Sequence, residues 1–238
     1  MYTLNVQTEI AFEPPTTPRA TELIRLFGLR TERMRERRLR HRCRLTLRPG
    51  DIVYITGASG AGKTVLLNAL YEQVEPADRL RLGDIPLYDD RPAIDCIDQP
   101  IFASTETFTR AGMGDIFNML QAPAHLSAGQ QHRFRLAAAL AHPATFIFAD
   151  EFTSSLDRIT ALSIAHHLRK LTGRSKKIFV LASCHEDVLA DLLPDILIVK
   201  GLSGKTKMYY KDKKRNPECQ FKITRKCSPD TCSQTDTC

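Results

Sequence analysis

At 238 residues the chain can form one large domain with a buried core, and 42% hydrophobic against 26% charged residues is an ordinary globular balance. No apolar run approaches a membrane span, since the longest, residues 178–182 and 196–199, are strand-sized, and the start MYTLNVQTEI lacks the charged head and apolar middle of a signal peptide. The net charge of +7 sits at the two ends: residues 30–48 hold nine Arg against Glu32 and Glu36, and residues 200–238 hold ten Lys and Arg against four acids. That asymmetry permits contact with nucleic acid or an anionic surface, and it equally describes a solvated charged face. The expectation is a soluble, cytoplasmic protein for which any membrane association calls for a partner. Of seven cysteines, Cys43, Cys96 and Cys184 read as small buried hydrophobes and free thiols.

Residues 2–10 alternate as a strand does, with Tyr2, Leu4 and Val6 against Thr3, Asn5 and Gln7. Pro14, Pro15 and Pro18 break the chain, and a helix starts near Thr21 with Leu23, Ile24, Leu26 and Phe27 as a core-facing stripe until Gly28. The Arg-rich stretch to Arg42 continues as a polar helix or a mobile loop. Residues 43–47 read as a strand, Pro49-Gly50 as a turn and residues 51–56 as the next strand, followed by a helix to Gln73. Residues 78–93 look irregular, and residues 93–98 form a short strand ending in Gln99-Pro100. One weak helical patch lies at residues 115–120. A helix introduced by Leu126-Ser127-Ala128-Gly129-Gln130-Gln131 runs through Ala141, and an apolar run at 144–149 ends in Asp150-Glu151. A helix at 159–171, a strand at 177–183 ending at Cys184-His185, a helical turn at 188–193 and a strand at 195–199 follow. Residues 201–238 lose all periodicity and read as a mobile basic tail.

Apolar runs alternating with helices imply βα units and a mainly parallel sheet flanked by helices, with a small N-terminal antiparallel β part; the G-x-x-x-x-G-K-T run at residues 57–64, between a strand and a helix, makes this an α/β fold of the P-loop NTPase class. Three segments follow: an N-terminal strand and basic helical segment over 1–42, the main α/β domain over 43–200, and the tail over 201–238. Right-handed crossovers place the P-loop and the strand ends Gln99, Asp150 and His185 on one edge.

The chemistry starts at Gly57-Ala58-Ser59-Gly60-Ala61-Gly62-Lys63-Thr64, a G-x-x-x-x-G-K-T run between an apolar strand and a helix. Its glycines let backbone N–H groups curl around an anion, and the helix start at Val65 adds the positive end of its dipole. Lys63 can reach the β- and γ-phosphates and the Thr64 hydroxyl can ligate Mg²⁺. A second constellation, Phe146 to Glu151, has the form of a buried strand delivering two carboxylates. Asp150 would support Mg²⁺, and Glu151 would act as general base toward water.

These motifs, with Gln99, the LSAGQ run from Leu126 to Gln130, Ser154-Ser155-Leu156-Asp157 and His185, stand in the order found in ATP-binding-cassette (ABC) ATPases, which the chain resembles from about Cys43 to Lys200. The resemblance implies ATP and Mg²⁺ as cofactors and a head-to-tail homodimer with two ATP molecules sandwiched between the subunits. It further implies that Ser127 and Gly129 face the γ-phosphate held by the other subunit, that Gln99 senses Mg²⁺ and water, that His185 holds the γ-phosphate or orients the water of Glu151, and that Asp157 links the two sites. It also suggests Phe27 as an adenine-stacking ring, against its reading as a core residue. Ala128 departs from the LSGGQ glycine.

Only residues 100–125 separate Gln99-Pro100 from the signature, where transport subunits look longer, so the helical subdomain reads as reduced. The N-terminal part also resembles stand-alone prokaryotic and phage ABC ATPases, some fused to a predicted acetyltransferase, although no acyl-CoA-binding motif is present. Three readings result: a soluble ATPase with nucleic acid as one candidate partner through residues 30–48 and 201–238, a transporter's ATP-binding subunit docked on membrane proteins, or an ATP switch. The tail cysteines Cys219, Cys227, Cys232 and Cys238 lack a C-x-x-C pair, which favours an unstructured tail over a zinc site.

Overall fold

The computed structural model describes residues 1–11, 13–35, 38–202 and 206–211. Strand β1 (Tyr2–Ala11) leads through two short helices, α1 (Pro18–Leu26) and α2 (Thr31–Arg35), to β2 (Arg38–Leu47), which returns antiparallel along β1. The order then runs β3 (Ile52–Gly57), α3 (Lys63–Glu72), β4 (Arg79–Arg81), α4 (Ile101–Arg110), α5 (Ile116–Leu120) and α6 (Ala128–Ala141). It ends with β5 (Phe146–Ala149), α7 (Arg158–Thr172), β6 (Ile178–Ala182), α8 (Leu189–Leu192), β7 (Ile196–Lys200) and β8 (Thr206–Tyr210). Six strands make one sheet in the order β4-β5-β6-β3-β7-β8, parallel throughout except for β8.

The period of two along each strand divides the interior into two cores. Val53 and Ile55 of β3, with Phe146, Val180 and Ile198, face α3 and the β1–β2 hairpin. Ile52 and Tyr54, with Ile147, Phe179 and Leu181, face α6, α7 and the residues around Phe108. Both faces are covered, which is why these strands are apolar runs without alternation.

The hairpin gains its place by the same rule. Leu4, Val6, Cys43, Leu45 and Leu47 point inward, and the residues between them point to solvent. The small antiparallel N-terminal sheet is thus as expected, but its second strand starts at Arg38, inside the stretch assigned to a polar helix or loop. Alternation of Arg with Leu39, Cys43 and Leu45 is a strand signal that the charge density obscures.

Four other expectations give way. Residues 93–98 contain a 3₁₀ turn, Ala93–Cys96, and the edge strand is the three-residue β4 instead. That strand is too short to show a period, and the Tyr71 ring holds it: the guanidinium carbons of Arg79 and Arg81 lie 4.1 and 4.0 Å from its centroid. Residues 101–110 form α4, a helix hidden in the sequence because Ile101 and Phe102 face solvent while Ser104 and Phe108 are buried. Residues 206–210, placed in the aperiodic tail, pair with β7 as β8. Cys184 is exposed, unlike buried Cys43. The tail cysteines lie outside the described residues.

One carboxylate ties three elements together. Asp195 Oδ2 accepts from Ile52 N–H at 3.0 Å and from Arg169 Nη1 at 2.7 Å, while its N–H donates to the Ile52 carbonyl at 2.9 Å. β3, β7 and α7 meet there, with the pair largely shielded from solvent. Asp195→Ala should lower stability by about 1.5–3 kcal/mol, the usual cost of losing a hydrogen bond to a charged group, read as a reduced urea midpoint with an unchanged slope.

Candidate functional site

Three neighbouring parallel strands, β5, β6 and β3, end at one edge of the sheet. The chain leaves them as Asp150-Glu151, as Ser183-Cys184-His185 and as the loop 57–64, so these three groups share that edge.

The loop begins at Gly57, whose φ of +139° lies in a region that only glycine occupies with ease. A Cβ there would sit 2.2 Å from the Lys200 carbonyl oxygen, so any side chain would push β3 off β7. Gly60 and Gly62 have φ of +77° and +85°, and open space lies before Gly60. Gly62 N-caps α3 without any side-chain hydrogen bond, which leaves backbone N–H donors of the first turn for an anion. Ala58, Ser59 and Gly60 are exposed, Ala61 is buried, and Val65 is half-buried on the helix behind them. Lys63 is only 7% exposed, and its Nζ donates to the carbonyls of Gly57 at 2.9 Å and Ala58 at 3.1 Å. The ammonium is thereby held over the cradle.

β5 is buried along its length and delivers Asp150 and Glu151 to solvent. The backbone turns sharply: Glu151 has φ of +48° and Thr153 of +64°. Such conformations cost on the order of 1–3 kcal/mol each and persist only where surroundings impose them. The surroundings do so here. Phe152 N–H donates to the Ala182 carbonyl at 2.9 Å, and the Glu151 carbonyl accepts from Ser154 N–H at 3.0 Å and Ser154 Oγ at 2.7 Å. Phe152 is buried against the His132 ring of α6, centroids 5.4 Å apart.

His185 is fastened through its backbone. Its carbonyl accepts from the Tyr54 hydroxyl at 2.6 Å, and its N–H donates to Ser183 Oγ at 3.2 Å. Burial pushes the Tyr54 phenol above its ordinary value, so it stays a donor. His185 itself is exposed.

Ser127 caps α6 in a reciprocal box. Gln130 N–H donates to Ser127 Oγ at 3.4 Å, and Ser127 N–H donates to Gln130 Oε1 at 2.9 Å. Capping uses a lone pair of the hydroxyl, so its proton remains available to a ligand. A Cβ on Gly129 would meet Thr160 Cγ2 at 2.8 Å, which ties this glycine to the packing of α6 on α7. Asp157 caps α7 through Thr160 N–H at 3.0 Å, and those hydrogen bonds hold its carboxyl below the usual range.

Gln99 does not join this edge. It lies in a cleft of about 320 Å³ with His167, Lys170 and Ser175, and its Oε1 accepts from Thr107 Oγ1 at 3.3 Å. Lys170 and Ser175 sit where α7 returns to the start of β6, at the opposite end of the sheet from Asp150. The reason is the edge strand: β4, not residues 93–98, pairs with β5, and the chain leaves β4 through the turn Leu82–Asp84. Asp84 therefore lines the cleft of about 440 Å³ that holds Asp150, Glu151 and His132. Sequence reading missed Asp84 because a three-residue strand gives no period. His132 went unnoticed as a polar position in an apolar helix; its Nε2 is buried without a partner among the described residues, and burial with the nearby Arg135 and Arg133 pushes its pKa down to about 4.

The donors fit a hard cation. Thr64 offers a hydroxyl and Asp150 a carboxylate, and among the described residues no three His, Cys, Asp or Glu side chains converge to cage an ion. Mg²⁺ takes few protein ligands and fills its shell with phosphate and water, as this pair requires.

Comparisons with known proteins agree with this geometry. A family model described as ABC transporter matches residues 41–106. The aliphatic sulfonates import ATP-binding protein SsuB 1 of Paracoccus denitrificans is 30% identical over 194 residues, 74% of this chain and 76% of that protein. The methionine import ATP-binding protein MetN 2 of Pseudomonas aeruginosa is 27% identical over 66% of this chain, which spans 58% of MetN 2. Among solved structures, a dimeric post-hydrolysis state of the ATP-binding cassette MJ0796 bound to ADP and Pi superposes with a TM-score of 0.58 at 18% identity, covering 86% of this chain and 97% of that one. With its P-loop, carboxylate strand and capped signature helix set on this sheet, the chain belongs to the ATP-binding-cassette (ABC) family, whose members hydrolyse ATP with Mg²⁺.

Proposed function

We propose that two copies of this chain pair head to tail and hydrolyse ATP at two composite sites. The observation that carries this reading is the exposed start of α6, where Ser127 keeps a hydroxyl proton to donate at the head of a fourteen-residue helix. A γ-phosphate in the partner's loop 57–64 is the anion such a helix end accommodates. Within one copy, the N–H groups of Gly60 to Thr64 hold the phosphates and Lys63 exchanges its carbonyl partners for their oxygens. Bound Mg²⁺ at Thr64 and Asp150 supplies charge neutralisation on the phosphates. Glu151, aimed by its strained turn, takes the proton of the attacking water, and His185 orients that water. Asp84, in the same cleft, takes the water-facing place first assigned to Gln99. Asp157, exposed at the head of α7, sits where it can report to the partner.

A second reading concerns what the motion drives. Ile101, Phe102, Ile116, Phe117 and Leu120 are exposed on α4 and α5, beside the signature helix. Apolar side chains so placed favour docking on a separate protein subunit, and the similar proteins named above are import ATP-binding proteins. Under this reading the chain is the ATP-binding subunit of an importer.

Lys63→Ala should lower kcat/KM for ATP by about 100-fold or more, as expected for removing a main charge partner of the phosphates. Glu151→Gln should retain ATP, reduce kcat by about 100-fold or more, and accumulate as a dimer in size-exclusion chromatography with ATP; a monomer with normal turnover removes Glu151 from the base role. Ser127→Arg should stop turnover while binding of a fluorescent ATP analogue to the isolated subunit stays unchanged. Normal hydrolysis by that variant overturns the composite site.

A further inference from the structure

The helices between β1 and β2 are unlike the rest of the molecule: neither α1 nor α2 contains a buried residue. Yet Leu23, Leu26, Phe27 and Leu29 are 58%, 76%, 67% and 53% exposed. The stripe expected to face the core thus faces solvent. Positions 23, 26 and 27 follow the i, i+3, i+4 spacing of one helical face. Thr17 caps α1 through Ala20 N–H at 3.3 Å and Pro18 opens it, so the helix is locally specified without help from packing. The same segment, residues 17–35, carries five exposed arginines, Arg19, Arg25, Arg30, Arg33 and Arg35, against the two acids Glu22 and Glu32.

We propose that α1 and α2 form a docking surface for an anionic phospholipid bilayer, with Leu23, Leu26, Phe27 and Leu29 entering the interface and the arginines meeting lipid phosphates. Charge complementarity chooses the occupant. Arginines alone would suit any polyanion, but a nucleic-acid backbone has no use for four exposed Leu and Phe side chains. A bilayer surface takes both, apolar groups at the acyl boundary and guanidinium groups at the phosphates. A nine-residue helix gives binding that is modest and salt-sensitive. The surface lies on the β1–β2 insertion, and the inference stands whether or not the composite ATP site does.

The test is flotation of the full-length protein with vesicles of phosphatidylcholine containing about 30% phosphatidylglycerol, against pure phosphatidylcholine. Binding to the anionic vesicles should be about tenfold tighter than to neutral ones, and should weaken about tenfold in Leu23→Ser/Leu26→Ser and again in Arg25→Ser/Arg30→Ser. Basal ATPase activity of these variants should stay at the wild-type level, which shows that they fold. Absence of flotation, or flotation unaffected by the leucine substitutions, overturns the proposal. So does capture of a duplex DNA of about 20 base pairs that depends on the arginines but not the leucines. A lipid-free dimer that the leucine substitutions dissolve assigns the stripe to a second copy and overturns it equally.

Discussion

The parallel pairing of β3 with β6 is the constraint from which the chemistry of this molecule follows. With Ile55 opposite Ala182, the two strands run out together, and the Ser183 N–H still reaches the Ile55 carbonyl at 3.1 Å. The phosphate loop and the His185 segment therefore start level with one another. β5 pairs on the far side of β6 through Ala149↔Leu181, which brings Asp150 to the same line. A slip of one residue would turn every side chain of a strand to the other face, and here both faces are core, so the register is held from two sides.

That rigidity is what allows strain at the edge. Glu151 and Thr153 adopt left-handed backbone conformations without being glycine, and the surrounding hydrogen bonds and the buried Phe152 ring keep them there. The same logic explains the close approach of Gly57 to Lys200, where β3 and β7 can pair only because the loop begins without a side chain. Function has been placed where the sheet can absorb its cost. By contrast neither α1 nor α2 buries a residue in the core, and α1 starts on its own Thr17 cap.

Much of this was legible in the sequence, for physical reasons that differ by element. The phosphate loop and the Asp150-Glu151 turn follow long apolar runs, and a run buried on both faces announces itself. The helix introduced by Leu126–Gln131 was legible as a run through Ala141, and the structure adds the reason for its start, the capping box that Ser127 and Gln130 close. What stayed hidden was short or misleading. β4 has three residues and is held by the Tyr71 ring, a contact that no sequence pattern advertises; the segment before Gln99 imitated a strand through Ile94, Cys96 and Ile97 yet closed into a 3₁₀ turn. Gln99 was carried to the wrong end of the sheet by that imitation. The apolar stripe of α1 shows the limit of periodicity, which tells that one face is oily and leaves open whether the protein itself covers it.

His132 gives the molecule a response to acid. The folded chain holds its imidazole near a pKa of about 4, while the unfolded chain titrates near the ordinary 6.5. Between those values the unfolded state binds a proton that the folded state refuses. The resulting stabilisation is complete above about pH 6.5 and is lost as the pH falls toward 4, a difference on the order of 3 kcal/mol. Because His132 packs α6 against the loop that carries Glu151, the seam between α6 and the turn at Glu151 is where protons pull on this fold.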